Sequence, residues 1–223
     1  MPKIKQRYFT VFLAVAALVI CGVIIWAIIA VDRPPKQSQV PKTYDNLVAA
    51  LVGENTANKK YLLYAEKAEG EGNTEAASLF RAVAAAERVH IERLYALANG
   101  VSPLAMPPAG SVTVGDTEEN LEDCIKAENG ETSTVYPQYA RTAEGENYAD
   151  ATEAFDEIGK AEAAHEQLFR ELLTKLEKTG AATDAMIYYV CPVCGNVTEG
   201  TAPDRCPICD TPGSKWIEYK YAS

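Results

Sequence analysis

The sequence is short of two things: histidine, present only twice in 223 residues, and positive charge, with 21 Lys and Arg against 31 Asp and Glu. Three of the basic groups, Lys3, Lys5 and Arg7, fall in the first 31 residues, where there is no acid, leaving 18 basic and 31 acidic groups for the rest. That balance argues against nucleic acid as partner, because phosphate binding needs a basic face. Disorder is not expected either, because 48% of the residues are hydrophobic. The length allows one good-sized core and a smaller appended module.

Charge is missing altogether from Tyr8 to Val31, a run of 24 residues. As a helix it would measure about 36 Å, against a hydrocarbon core of roughly 30 Å. It has no small-residue cleavage site at its end, which disfavours a signal peptide. Ile20 stands where a lipoprotein signal needs a small residue, so Cys21 reads as a lipid-facing bystander. Residues 1–31 are therefore expected to be a transmembrane anchor. Residues 32–42, with Pro34, Pro35 and Pro41, read as a stiff stalk. The basic groups before the span favour a body on the extracytoplasmic side.

Four helical stretches follow, over 43–70, 74–99, 117–145 and 148–179, punctuated by Gly70, Gly72 and Gly145. Asn73 and Asn147 stand where N-caps are wanted, and Asp116 with Glu119 makes a capping-box start. Residues 100–116, with Pro103, Pro107 and Pro108, read as a long crossover, and Pro137 predicts a local kink.

Along each helix the apolar residues recur every three or four positions, as on one buried face. Each stripe is interrupted near its middle. The first runs Leu51, Glu54, Asn58, Tyr61, Ala65; the second Val83, Glu87, His90, Leu94. The third runs Cys124, Glu128, Glu131, Val135, and the fourth Ile158, Glu162, His165, Phe169. Unpaired buried carboxylates are strongly disfavoured, and several together repel one another. The stripes contain no Lys or Arg, so metal cations are the economical counter-charge.

The interruptions also repeat. Glu54 and Glu128 are 74 residues apart, as are Asn73 and Asn147; Glu87 and Glu162, His90 and His165, and Phe80 and Phe155 are 75 apart. Two helical hairpins, each giving one Glu and one Glu-x-x-His, match the ligand arrangement of ferritin-like di-iron bundles. A single Glu-x-x-His is ordinarily a surface accident; two in register with the repeat, using both histidines, are not. Glu131 has no counterpart, because position 57 is Ala, which predicts two inequivalent metal positions.

Beyond Gly180 the composition changes. Cys191-Pro-Val-Cys194-Gly195 and Cys206-Pro-Ile-Cys209 form two C-x-x-C knuckles separated by 11 residues, the pattern of a tetrahedral four-thiolate site. Paired disulfides are the alternative in an exported protein. Fe and Zn both fit four thiolates, and spacing does not separate them. Gly195 is expected to let backbone N–H groups face sulfur, and Tyr188, Tyr189 and Trp216 to form the module's core.

Over residues 43–221 the chain resembles the rubrerythrin family. The resemblance rests on Gly53-Glu54-Asn55 with Tyr61, Ala86-Glu87-Arg88-Val89-His90, Glu128-Asn129-Gly130-Glu131 with Tyr136-Pro137, Ala161-Glu162-Ala163-Ala164-His165, and the two knuckles. It implies a mainly α fold, with a ferritin-like four-helix bundle over 43–180 and a small, β-rich, rubredoxin-like Fe(Cys)4 domain over 187–221. It further implies a di-iron peroxidase that reduces hydrogen peroxide to water with electrons relayed through the cysteine-bound iron. Glu54, Glu87, Glu128, Glu131, Glu162 and His165 are then iron ligands, and His90 exchanges with Glu131. Tyr61 and Tyr136 match tyrosines that hydrogen-bond ligand carboxylates, where the plain alternative is core packing. A head-to-tail homodimer and an unidentified electron donor complete the expectation. Two departures stand out: the expected anchor, and Thr132 and Ser133 where bulkier residues are common. The rival readings are a ferroxidase or iron-handling protein, an electron-transfer subunit of a membrane complex, and a structural zinc module.

Overall fold

The computed structural model describes residues 40–183 and 186–220. Helix α1 (Lys42–Gly70) and helix α2 (Thr74–Val101) form one antiparallel hairpin. Helix α3 (Thr117–Gly130), a π-helical turn (Glu131–Val135) and helix α4 (Tyr136–Gly145) form one continuous arm of the second hairpin, and helix α5 (Ala149–Thr179) the other. Between the hairpins the crossover runs back along α1, where Asn55 Nδ2 donates to the Pro107 carbonyl at 2.7 Å and Gly110 N donates to Thr56 Oγ1 at 2.9 Å.

Asp116 and Glu119 make the expected capping box at the start of α3, an arrangement in which the cap is worth ~1 kcal/mol. The two asparagines do otherwise than expected. Asn73 precedes α2 without a side-chain cap bond; its Oδ1 accepts from Ala182 N at 3.2 Å instead. Asn147 lies one residue before the N-cap of α5, Tyr148, and carries φ 63°, the counterpart of Gly72 with φ 81°. In the second arm the distortion centres on the π-turn, and Pro137, which has no N–H to give to the helix, follows two residues after it.

Two apolar clusters fill the bundle. One gathers Tyr61, Phe80, Leu121 and Phe169, and the other Leu47, Leu51, Leu94, Phe155 and Ile158. The polar interruptions of the four stripes lie between them.

At the end of α5, Gly180 adopts φ 73°, a left-handed conformation that closes helices at little cost to glycine. The chain then docks on the start of α2, where Glu75 N donates to the Ala182 carbonyl at 2.9 Å. Strands β1 (Ile187–Val190), β2 (Val197–Glu199) and β3 (Ile217–Lys220) form an antiparallel sheet in the order β2-β1-β3. Tyr188, Val190 and Val197 belong to the bundle's apolar cluster, whereas Trp216 and Tyr189 pack against the cysteines. Tyr188 is thus interface rather than module core.

The expectation of a membrane-anchored chain with an extracytoplasmic body is corrected. Among the described residues no helix is long and apolar enough to cross a membrane. The run from Tyr8 to Val31 that prompted the expectation lies outside the described residues.

Candidate metal centre

Each of the four helical arms delivers its carboxylate at the level where its apolar stripe breaks. Glu54, Glu87, Glu128 and Glu162 are buried, as are His90 and His165. His90 Nδ1 lies 2.8 Å from Glu87, 3.0 Å from Glu162 and 3.6 Å from Glu54. His165 Nδ1 lies 2.7 Å from Glu162 and 3.6 Å from Glu87. Two sets of possible donors result: Glu54, Glu87, His90 and Glu162, and then Glu87, Glu128, Glu162 and His165, with the donor atoms of each set within 4.8 Å of one another. Glu87 and Glu162 belong to both sets, so they are the residues that would hold both members of a metal pair.

The remaining oxygens are held from outside. Tyr61 donates its phenol to Glu128 Oε1, and Tyr136 donates to Glu54 Oε1. Glu54 Oε2, Glu128 Oε2, both Glu162 oxygens and His165 Nδ1 are buried without a hydrogen bond. Orphaned polar atoms of this kind are costly in a protein interior, and they mark a place for an unseen ion. Burial and the neighbouring Glu162 push the Glu87 and Glu128 carboxyls well above the usual carboxylate range. Burial acts on Glu162 as well, but His90 and His165 outweigh it and hold that carboxyl low. The donors fit two cations closely.

Glu131 is the expected residue that the structure does not bring into either set. It opens the π-turn, and its Oε1 faces the backbone of Gly53, 4.0 Å from where a Cβ would stand. Among the five glutamates it alone is partly exposed. His90 belongs to the first donor set, while Glu131 stands outside both.

Cys191, Cys194, Cys206 and Cys209 converge with their sulfurs within 4.8 Å of one another, a donor set suited to one tetrahedral ion. Neither knuckle forms a disulfide. The module touches the carboxylate cluster directly. His90 Nε2 lies 3.0 Å from the Cys194 carbonyl oxygen, and His165 Nε2 lies 3.0 Å from that of Gly195. Sequence reasoning missed these two carbonyls, because backbone acceptors have no residue signature. Gly195, expected to turn N–H groups toward sulfur, has φ 74° and lies so close to His90 that a Cβ would collide with the imidazole.

Comparison with known proteins agrees with this geometry. The family profile described as Rubrerythrin matches residues 45–173. Rubrerythrin-1 of Clostridium acetobutylicum is 35% identical over 174 residues, covering 75% of this chain and 89% of that protein. Nigerythrin of Nitratidesulfovibrio vulgaris is 32% identical over 184 residues, covering 82% and 89%. A solved structure of nigerythrin in its fully reduced, all-ferrous state superimposes with a TM-score of 0.75 at 31% identity, covering 84% of this chain and 91% of that one.

Proposed function

Because the chain belongs to the rubrerythrin family, we propose that it is a di-iron peroxidase reducing hydrogen peroxide to water, with electrons delivered through the four-cysteine site. The single observation that carries this reading is the pair of donor sets sharing Glu87 and Glu162, joined through His90 and His165 to the cysteine module. The all-ferrous state named for nigerythrin supports iron as the metal. Two irons would supply the two electrons that split the O–O bond, and an iron on four thiolates would return them one at a time.

The chain's own residues set the conditions for that chemistry. Tyr61 and Tyr136 occupy one oxygen of Glu128 and of Glu54, so the other oxygen of each is left to face the centre. Each imidazole has a carbonyl acceptor at Nε2, which places the ring proton there and the Nδ1 lone pair toward the carboxylates. Glu131, outside both sets, would be the residue that exchanges with His90 when charge at the centre changes. Apolar clusters on both sides keep water from the carboxylates. Electrons come from an unidentified donor. A head-to-tail homodimer belongs to the same proposal, the contact between knuckle and histidines then being exchanged between two copies.

Stopped-flow oxidation of the fully reduced, iron-loaded protein tests the assignment. Peroxide is expected to oxidise it much faster than dioxygen does. The reverse order overturns the peroxidase reading in favour of a ferroxidase.

A further inference from the structure

Tyr61 and Tyr136 stand 75 residues apart and play the same part in the two hairpins, each donating its phenol to a carboxylate of the other hairpin. Their surroundings differ in charge. Tyr136 is flanked by Tyr139 and Phe155, both neutral. Tyr61 has Phe169 on one side, and the ammonium of Lys60 lies 5.1 Å from its ring centroid, within reach of a cation–π attraction. The ammonium is fixed in place by Asp123 Oδ2 at 3.0 Å, and the Lys60 side chain is only 14% exposed. The same Asp123 oxygen accepts from Tyr64 at 3.0 Å. In the other hairpin the matching positions hold Thr134 and Val135, which carry no charge.

We propose that Lys60 is a positioning residue of the metal centre, a cation held by Asp123 over the ring of Tyr61 that seats the phenol on Glu128. The proposal rests on the reading of the carboxylate cluster as an iron site. A cation beside Tyr61 opposes the gain of positive charge when a ferrous ion becomes ferric; Asp123 cancels part of that field, and a neutral residue at position 60 would leave its carboxylate bare, so loss of the ammonium lowers the reduction potential of the pair.

The test is a mediated redox titration of the iron-loaded wild type and of Lys60→Met, Lys60→Gln and Lys60→Arg, followed by EPR of the half-reduced pair. The two neutral variants are expected to titrate at lower potential. The arginine variant is expected to stay at the wild-type value, because a guanidinium keeps the charge and stacks on aromatic rings. Neutral variants that hold iron at an unchanged potential overturn the proposal, as does an arginine variant that falls as far as methionine. If the neutral variants lose the iron pair and arginine keeps it, the need for charge stands; if all three lose it, shape rather than charge is required and the proposal fails. Iron analysis of the wild type separates these outcomes from failure of the parent reading, since a wild type without an iron pair removes both.

Discussion

His90 Nε2 lies 3.0 Å from the carbonyl oxygen of Cys194, a residue 104 positions further along the chain. The same ring presents Nδ1 to Glu87 at 2.8 Å. One imidazole thus joins the thiolate cluster to the carboxylate cluster by a single hydrogen bond, and His165 repeats the connection through Gly195. Several expectations rest on this contact and on the carboxylates behind it.

Gly195→Ala should pry the module from the histidines. The residue has φ 74° and no room for a Cβ beside His90. The strained backbone alone costs ~1 kcal/mol or more, and the collision adds to it. Thermal unfolding is expected at lower temperature, with slower re-reduction of the carboxylate centre in rapid-mixing experiments. An alanine variant as stable and as fast as wild type would show that the contact is not maintained in solution.

Cys191→Ser should abolish the four-thiolate centre while leaving the bundle intact, because Cys191 takes no part in the carboxylate sets. Single-turnover oxidation by peroxide is then preserved and steady-state turnover lost. Unchanged steady-state turnover would instead favour the iron-handling alternative.

Tyr136→Phe removes the donor that holds Glu54 Oε1. Loss of an outer partner of a metal ligand typically costs ~10–100-fold in metal affinity or activity, and a weakening of that order is expected in Co(II) titrations. Because Tyr136 also packs on Phe155, and phenylalanine retains that contact, folding should be little affected.

The pH dependence should reverse when the metal is removed. In the metal-free protein Glu87 and Glu128 are held above the ordinary carboxylate range by burial and Glu162. Such groups keep protons in the native state that the unfolded chain releases, so stability falls as pH rises out of that range. Burial pulls His90 down, but Glu162 and Glu87 outweigh it; its contribution is present below its ordinary value and is lost as pH rises through the raised folded one. Glu162, held low, acts oppositely, and its contribution is lost only in acid. Chelator-treated protein should therefore melt several degrees lower at about pH 8 than at about pH 5, given ~2–8 °C per kcal/mol. Metal-loaded protein should show the opposite trend, because binding requires deprotonated ligands. Calorimetry at both pH values decides, and the same trend in both forms would contradict the account.

Much of this site was legible in the sequence because a buried acid breaks an apolar stripe visibly. Glu54, Glu87, Glu128 and Glu162 were placed by periodicity, and the structure groups them with both histidines. The repeat also marks a helical insertion. Glu54 and Glu128 are 74 apart but Tyr61 and Tyr136 are 75 apart, and that one-residue step falls at the π-turn of Glu131–Val135. A π-turn inserts one residue into a helix, and here it coincides with the unmatched carboxylate. Pairing Asn73 with Asn147 hid the step, since Asn147 corresponds to Gly72 by backbone conformation. Tyr188 was misplaced because a tyrosine beside a knuckle fits either the module or its docking face, and only tertiary packing chooses.

The most direct measurement is iron content per chain combined with EPR of the half-reduced protein. Three irons per chain are predicted, one with the signature of a four-thiolate ferric ion and two giving a coupled mixed-valence signal. A protein that keeps its fold and its peroxide turnover with no metal among Glu54, Glu87, Glu128 and Glu162 would contradict the account.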